Sequence, residues 1–134
     1  MNELSFELRA RFLRARHAGR LDGPGLCSGR ASADAGDAMV EVDLRVANGE
    51  IIASAFRAYG CPATIAVADW VCEALVGRTI AAAGSINTRV VEQASGLPAA
   101  KRDCAVVVLD AVVTALAMGG SKFSLSATTG EIWA

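Results

Sequence analysis

Cys61 lies between Gly60 and Pro62 in "AYGCPATIA", and Cys104 closes the run "KRDC" from Lys101. Each is expected at the start of a helix. Pro62 suits the first helical position, and Lys101 and Arg102 add positive charge before Cys104. Unpaired N–H groups and the positive end of a helix dipole favour a thiolate, the form of cysteine that binds metals or attacks sulfur. Pattern alone leaves an equal reading open, in which both are small residues packed where helices meet a sheet. Asp37 is a third candidate, because the strand register places it opposite Ala58 to Gly60, beside Cys61. Asp103 precedes the last helix, where a carboxylate serves as N-cap. Cys72 falls inside an apolar helical stripe and reads as core. Cys27 sits in a glycine-rich stretch, expected as a solvent-facing loop thiol or one that folds back toward the other two. His17, the one histidine, follows a basic helix and is expected to be exposed. A thiol enzyme built on Cys61 or Cys104 would therefore lack a base.

These residues depend on a strand pair and the helices after it. "MVEVDLRVA", from Met39, alternates Val40, Val42, Leu44 and Val46 against Glu41, Asp43 and Arg45, the period of a strand with one wet face. Asn48-Gly49 then predicts a tight hairpin turn into "EIIASAFRAYG". Upstream, Leu26 to Ala31 is expected as a short third strand or as loop. After Cys61 the period changes: Ile65, Ala68, Cys72 and Leu75 share a helical face that stops at Gly77. A further helix spans about Asn87 to Ala94. The last helix, with Cys104, Val107, Val108, Ala111, Val112 and Ala115 on one face, is expected to end at Gly119-Gly120. At the N-terminus, Leu4, Leu8 and Phe12 mark a docked amphipathic helix within residues 1–20; Glu3 and Glu7 argue against an organelle-targeting segment. The domain plan is one unit over 1–134, with loop or short strand over 21–38, core over 39–118 and an unassigned tail over 119–134. Strands first and helices after define an α+β class, a small antiparallel sheet of about three strands packed by helices.

The chain has 134 residues, 53% of them apolar, and 13 Lys and Arg nearly balance 14 Asp and Glu. A net charge of −1 implies no nucleic-acid partner. No apolar run reaches the roughly 20 residues of a membrane span. Scattered cysteines without a CxxC pair or a secretory signal fit a reducing, cytoplasmic setting.

Three stretches in order, "RHAGRLD", "AGDAMVEVDLRVANGEIIASAFRAYGCPATIA" and "LPAAKRDCAVVVLDAV", resemble the NifU/IscU-type iron-sulfur cluster assembly scaffold family. The resemblance implies a carrier and not a turnover enzyme. It would bind iron, an iron-sulfur cluster or zinc, accept sulfur as a persulfide from a cysteine desulfurase, and pass clusters to acceptor proteins. It assigns Asp37, Cys61 and Cys104 as metal ligands, with Cys104 as persulfide acceptor. Two positions depart from the family pattern. Ala35 stands where the family has its first cysteine, and Asp103 where many members have histidine, so Cys27 and Asp103 are the candidate substitutes. The chaperone-recognition segment is kept only as Leu97, Pro98 and Lys101. The alternative is a regulatory or interaction subunit that retains the scaffold fold and has lost cluster assembly.

Overall fold

A computed structural model describes residues 4–128, with side chains through residue 118. The order of elements is α1 (Phe6–Leu13), β1 (Leu26–Ser32), β2 (Met39–Ala47), β3 (Glu50–Tyr59), α2 (Pro62–Leu75), α3 (Ile80–Ala83), α4 (Thr88–Ser95), a 3-10 turn (Ala99–Lys101) and α5 (Arg102–Thr128). The sheet is antiparallel in the order β1-β2-β3. Its centre is the alternating strand: Val40, Val42 and Leu44 are fully buried, each burial stabilising by about 1.5–3 kcal/mol. Asn48 and Gly49 take φ of 54° and 77°, the left-handed pair that a two-residue hairpin needs. Met39 consequently pairs with Tyr59, which brings the β1–β2 loop to the end of β3.

Both long helices cover one face of the sheet, α5 across β1 and β2 and α2 against β3, while α1 packs on α2. Leu8, held by the Ser5 cap, is fully buried, and Leu4 and Phe12 join the same core as their spacing predicts. Buried Asp69 of α2 receives the Arg11 guanidinium at 2.8 Å and the His17 N–H at 2.8 Å, tying α1 and the chain after it to α2. His17 is thus half-buried, not exposed as its neighbours suggested, and its Nδ1 lies 3.3 Å from the Ser54 carbonyl oxygen.

The expected wet face of β2 is only partly wet. Residues 17–19 run along the outer edge of β3, where Phe56 N–H donates to His17 O and Gly19 N–H to Phe56 O. That covers an edge otherwise open to pairing with another chain. Asp43, 5% exposed, is covered where the chain runs on to Leu21, and accepts from Leu21 N–H, the Ser28 hydroxyl and both terminal nitrogens of Arg57. Burial alone would raise the Asp43 carboxyl, but Arg57, Leu21 and Ser28 outweigh it and hold the carboxyl below its ordinary range. A depressed folded pKa contributes stability that is complete above the unfolded value of about 3.9 and is lost as pH falls through the folded value. Asp43→Asn is expected to cost roughly 3 kcal/mol at neutral pH. In urea titrations the gap from wild type should stay constant above about pH 5 and narrow below about pH 4.

Two helix boundaries differ from expectation. α5 continues through Gly119-Gly120 to Thr128; interior glycine costs a helix only about 1 kcal/mol relative to alanine, so two glycines do not stop one already propagating. Its start is also earlier, since the 3-10 turn begun by Pro98 feeds directly into Arg102. Asp103 therefore lies inside the first turn and is not the N-cap. Residues 129–134 of the unassigned tail and residues 1–3 lie outside the described residues.

Candidate metal and persulfide site

The two cysteines meet. Cys61 is the N-cap of α2 with Pro62 at the first helical position, as its neighbours predict, and Cys104 lies in the first turn of α5. Their sulfurs are 3.6 Å apart. Gly60 fixes the approach: its φ is 148°, and a Cβ there would press on the Ala38 and Thr64 side chains at 3.1 Å. Opposite them the β1–β2 loop turns tightly, with Ala33 N–H bonded to Ala38 O and Gly36 N–H to Ala33 O. Together these segments line a pocket of about 600 Å³ that includes Ala35, Asp37, Cys61, Thr64, Asp103 and Cys104. A cavity of similar size, about 620 Å³, runs along α1. Its carboxylates Glu7, Asp69 and Glu73 are all engaged by Arg11, leaving no such donor set.

The two thiols differ electrostatically. Partial burial raises the Cys61 thiol, but the Thr64 hydroxyl 3.6 Å away, the first N–H groups of α2 and the Cys104 thiol outweigh it and lower its pKa. Cys104 is raised, by burial and by the neighbouring Cys61 sulfur, with Thr64 and Lys101 offsetting only part. The expectation that Lys101 and Arg102 make Cys104 a thiolate is thus corrected: burial and the Cys61 sulfur outweigh Lys101, and Arg102 is ion-paired with Glu92. Cys61 ionises first. Cys72, fully buried in α2, is pushed up to about 12 by burial. Alkylation of the metal-free protein at pH 7.5 should therefore label Cys61 fastest and Cys104 next, with Cys72 and Cys27 labelled only on unfolding, as peptide mapping after timed quenching would show.

Cys27 does not fill the place of the missing cysteine. It lies in β1 opposite Leu44, is 2% exposed, and belongs to the core. The segment pairs with β2 over its whole length, so Cys27 and Gly29 face α5 and no loop is left to fold back. Asp37 and Asp103 line the pocket, yet among the described residues no three His, Cys, Asp or Glu side chains are close enough together to hold a metal ion as they stand. The dithiol is in place and the carboxylates have not closed on it. Sequence reasoning missed Thr64 and Asp110 of the pocket wall. Their signals were spacing: Thr64 is three residues past an N-cap, and Asp110 is two helical turns past Asp103. In the chaperone-like segment Leu97 is buried, while Pro98 and Lys101 are half-exposed.

A three-stranded antiparallel sheet under helices, with cysteines at two helix starts facing the β1–β2 loop, defines the class: the chain belongs to the NifU-like N-terminal domain family, whose model matches residues 7–123. Among individual relatives, it is 33% identical over 105 residues to the iron-sulfur cluster assembly scaffold protein IscU of Azotobacter vinelandii, covering 75% of this chain and 81% of that one. It is 32% identical over 100 residues to the mitochondrial iron sulfur cluster assembly protein 1 of Yarrowia lipolytica, covering 75% of this chain. The match spans 54% of the Yarrowia protein, about half its length. The fold matches the N-terminal part of a nitrogen-fixing NifU-like protein from Brucella abortus with TM-score 0.69 at 15% identity, over 88% of this chain and 94% of that one. Among the described residues no helix is long and apolar enough to cross a membrane.

Proposed function

We propose that the chain is an iron-sulfur cluster assembly scaffold that carries its cargo on Cys61 and Cys104. The observation that supports this is the contact of those two sulfurs at 3.6 Å in a pocket that also holds Asp37 and Asp103. Soft thiolates suit iron and sulfide, and carboxylate oxygens complete a mixed set that releases iron more readily than four thiolates, or takes zinc. Cys104 accepts sulfur as a persulfide from a cysteine desulfurase, and Cys61 holds the growing cluster beside it. Asp37 supplies an oxygen from the β1–β2 loop, and Asp103 one from the first turn of α5. The cargo then passes to acceptor proteins, so the chain acts as a carrier. Incubated anaerobically with a desulfurase, L-cysteine and ferrous iron, it should convert an apo-ferredoxin to its coloured form faster than the same mixture without it. Cys61→Ser and Cys104→Ser should bring the rate back to that background, and a wild-type rate no better than background would overturn the proposal.

A second reading is favoured by one observation, that Ala35 leaves the pocket with two thiols and, among the described residues, no closed metal-binding group. An interaction subunit with the scaffold fold would bind a desulfurase equally well after loss of both Cys61 and Cys104, which a pulldown with the double serine variant reads directly.

A further inference from the structure

We propose that Cys61 resolves a persulfide carried by Cys104, releasing sulfide and leaving a Cys61–Cys104 disulfide. This rests on the sulfur-accepting reading above and adds the source of the electrons. The outer sulfur of a persulfide is at the oxidation level of elemental sulfur, and two electrons are needed to make it sulfide. The Cys61 thiolate attacks the inner sulfur, Cys104 Sγ. The bond between Cys104 Sγ and the outer sulfur breaks, and its electron pair leaves with the outer sulfur as HS⁻, which keeps the persulfide proton. The two cysteine sulfurs are each oxidised by one electron and end joined. An external dithiol then restores both thiols by exchange, ready for another sulfur.

The geometry carries this step. The attacking and attacked sulfurs are already 3.6 Å apart, so closing to a disulfide bond of about 2.05 Å takes an approach of only about 1.5 Å. Both thiols are reachable from solvent, Cys61 exposed and Cys104 half-buried, while Cys27 and Cys72 are buried away from the pocket. Alanine at position 35 removes a third thiol that would otherwise compete for the persulfide. Thr64, 2% exposed, places its hydroxyl 3.6 Å from Cys61 Sγ, on the side where that sulfur must be held. The pocket, about 600 Å³, has room for the added sulfur and a way out for sulfide.

The test uses pre-reduced, metal-free protein under anaerobic conditions with a chelator and no reductant. It is treated with inorganic polysulfide, desalted and analysed by intact mass and peptide mapping. Wild type should be lighter by two hydrogens, with the Cys61 and Cys104 peptides joined, and should have released about one sulfide per chain during the reaction. Cys61→Ser, a change at an exposed position, should instead keep one extra sulfur on Cys104 and release none after desalting. A wild-type chain that keeps the extra sulfur on either cysteine, including a persulfide merely passed to Cys61, would overturn the inference, as would a Cys61→Ser chain that carries none. A parallel arm loads Cys61→Ser with a desulfurase and L-cysteine. Polysulfide loading without desulfurase loading would refute the scaffold reading while leaving the resolving step in place.

Discussion

Gly29→Ala is expected to unfold the protein or lower its melting temperature by roughly 10 °C or more, because an added methyl meets a tighter contact there than at any other glycine among the described residues. Gly29 lies on β1 opposite Val42, facing α5. A Cβ there would stand 2.3 Å from the Ala111 carbonyl oxygen and 2.4 Å from the Ala115 amide nitrogen, both backbone atoms of α5. Neither can rotate away, so strand and helix must separate along their shared face. Overpacking against side chains costs about 1–3 kcal/mol; against two backbone atoms the cost lies at or above the top of that range. Separation would also move the first turn of α5, and with it Cys104 away from Cys61. Thermal melts should show the loss, and the rate of Cys61–Cys104 disulfide formation should fall in whatever fraction remains folded.

Ala35→Cys is expected to act in the opposite sense, on cargo and not on the fold. Position 35 is exposed at the tip of the β1–β2 turn and lines the pocket with Cys61 and Cys104. A thiolate there gives the dithiol a third soft ligand from the one segment that now offers only oxygen. Changes merely outside a metal's ligand shell alter affinity by about 10–100-fold, so a new ligand should lengthen the life of the bound cluster by at least about tenfold. Chelator challenge of reconstituted protein, followed by visible absorption, would measure it. Transfer to an apo-acceptor should slow in parallel.

Much of this was legible in the sequence, for identifiable reasons. The β2–β3 hairpin and its register follow from strict alternation and from Asn48-Gly49, and together they fix which loop faces Cys61. Pro62 marked the helix start, and Gly96 with φ 77° ended α4 as a left-handed cap. What stayed hidden depended on contacts between distant residues. Nothing local shows that Cys104 is half-buried beside the sulfur of Cys61, a residue far away in the chain, which is what raises its thiol. Cys27 looked like a loop residue because Gly25, Ser28, Gly29 and Ser32 resemble turn chemistry. Pairing with β2 and the close approach of α5 to Gly29 make that stretch a strand. Asp43 read as a wet-face carboxylate until the chain at residues 19–21 was folded over it.

In the proposed scaffold, Cys61 and Cys104 together hold the cargo, with carboxylate oxygens completing the set. Iron X-ray absorption of the anaerobically reconstituted protein, alongside the Cys61→Ser/Cys104→Ser double variant, tests this most directly. Iron with both sulfur and oxygen neighbours is expected in wild type, and no bound iron in the double variant. Iron retained by the double variant with an unchanged spectrum, or wild-type protein that binds none, would contradict it.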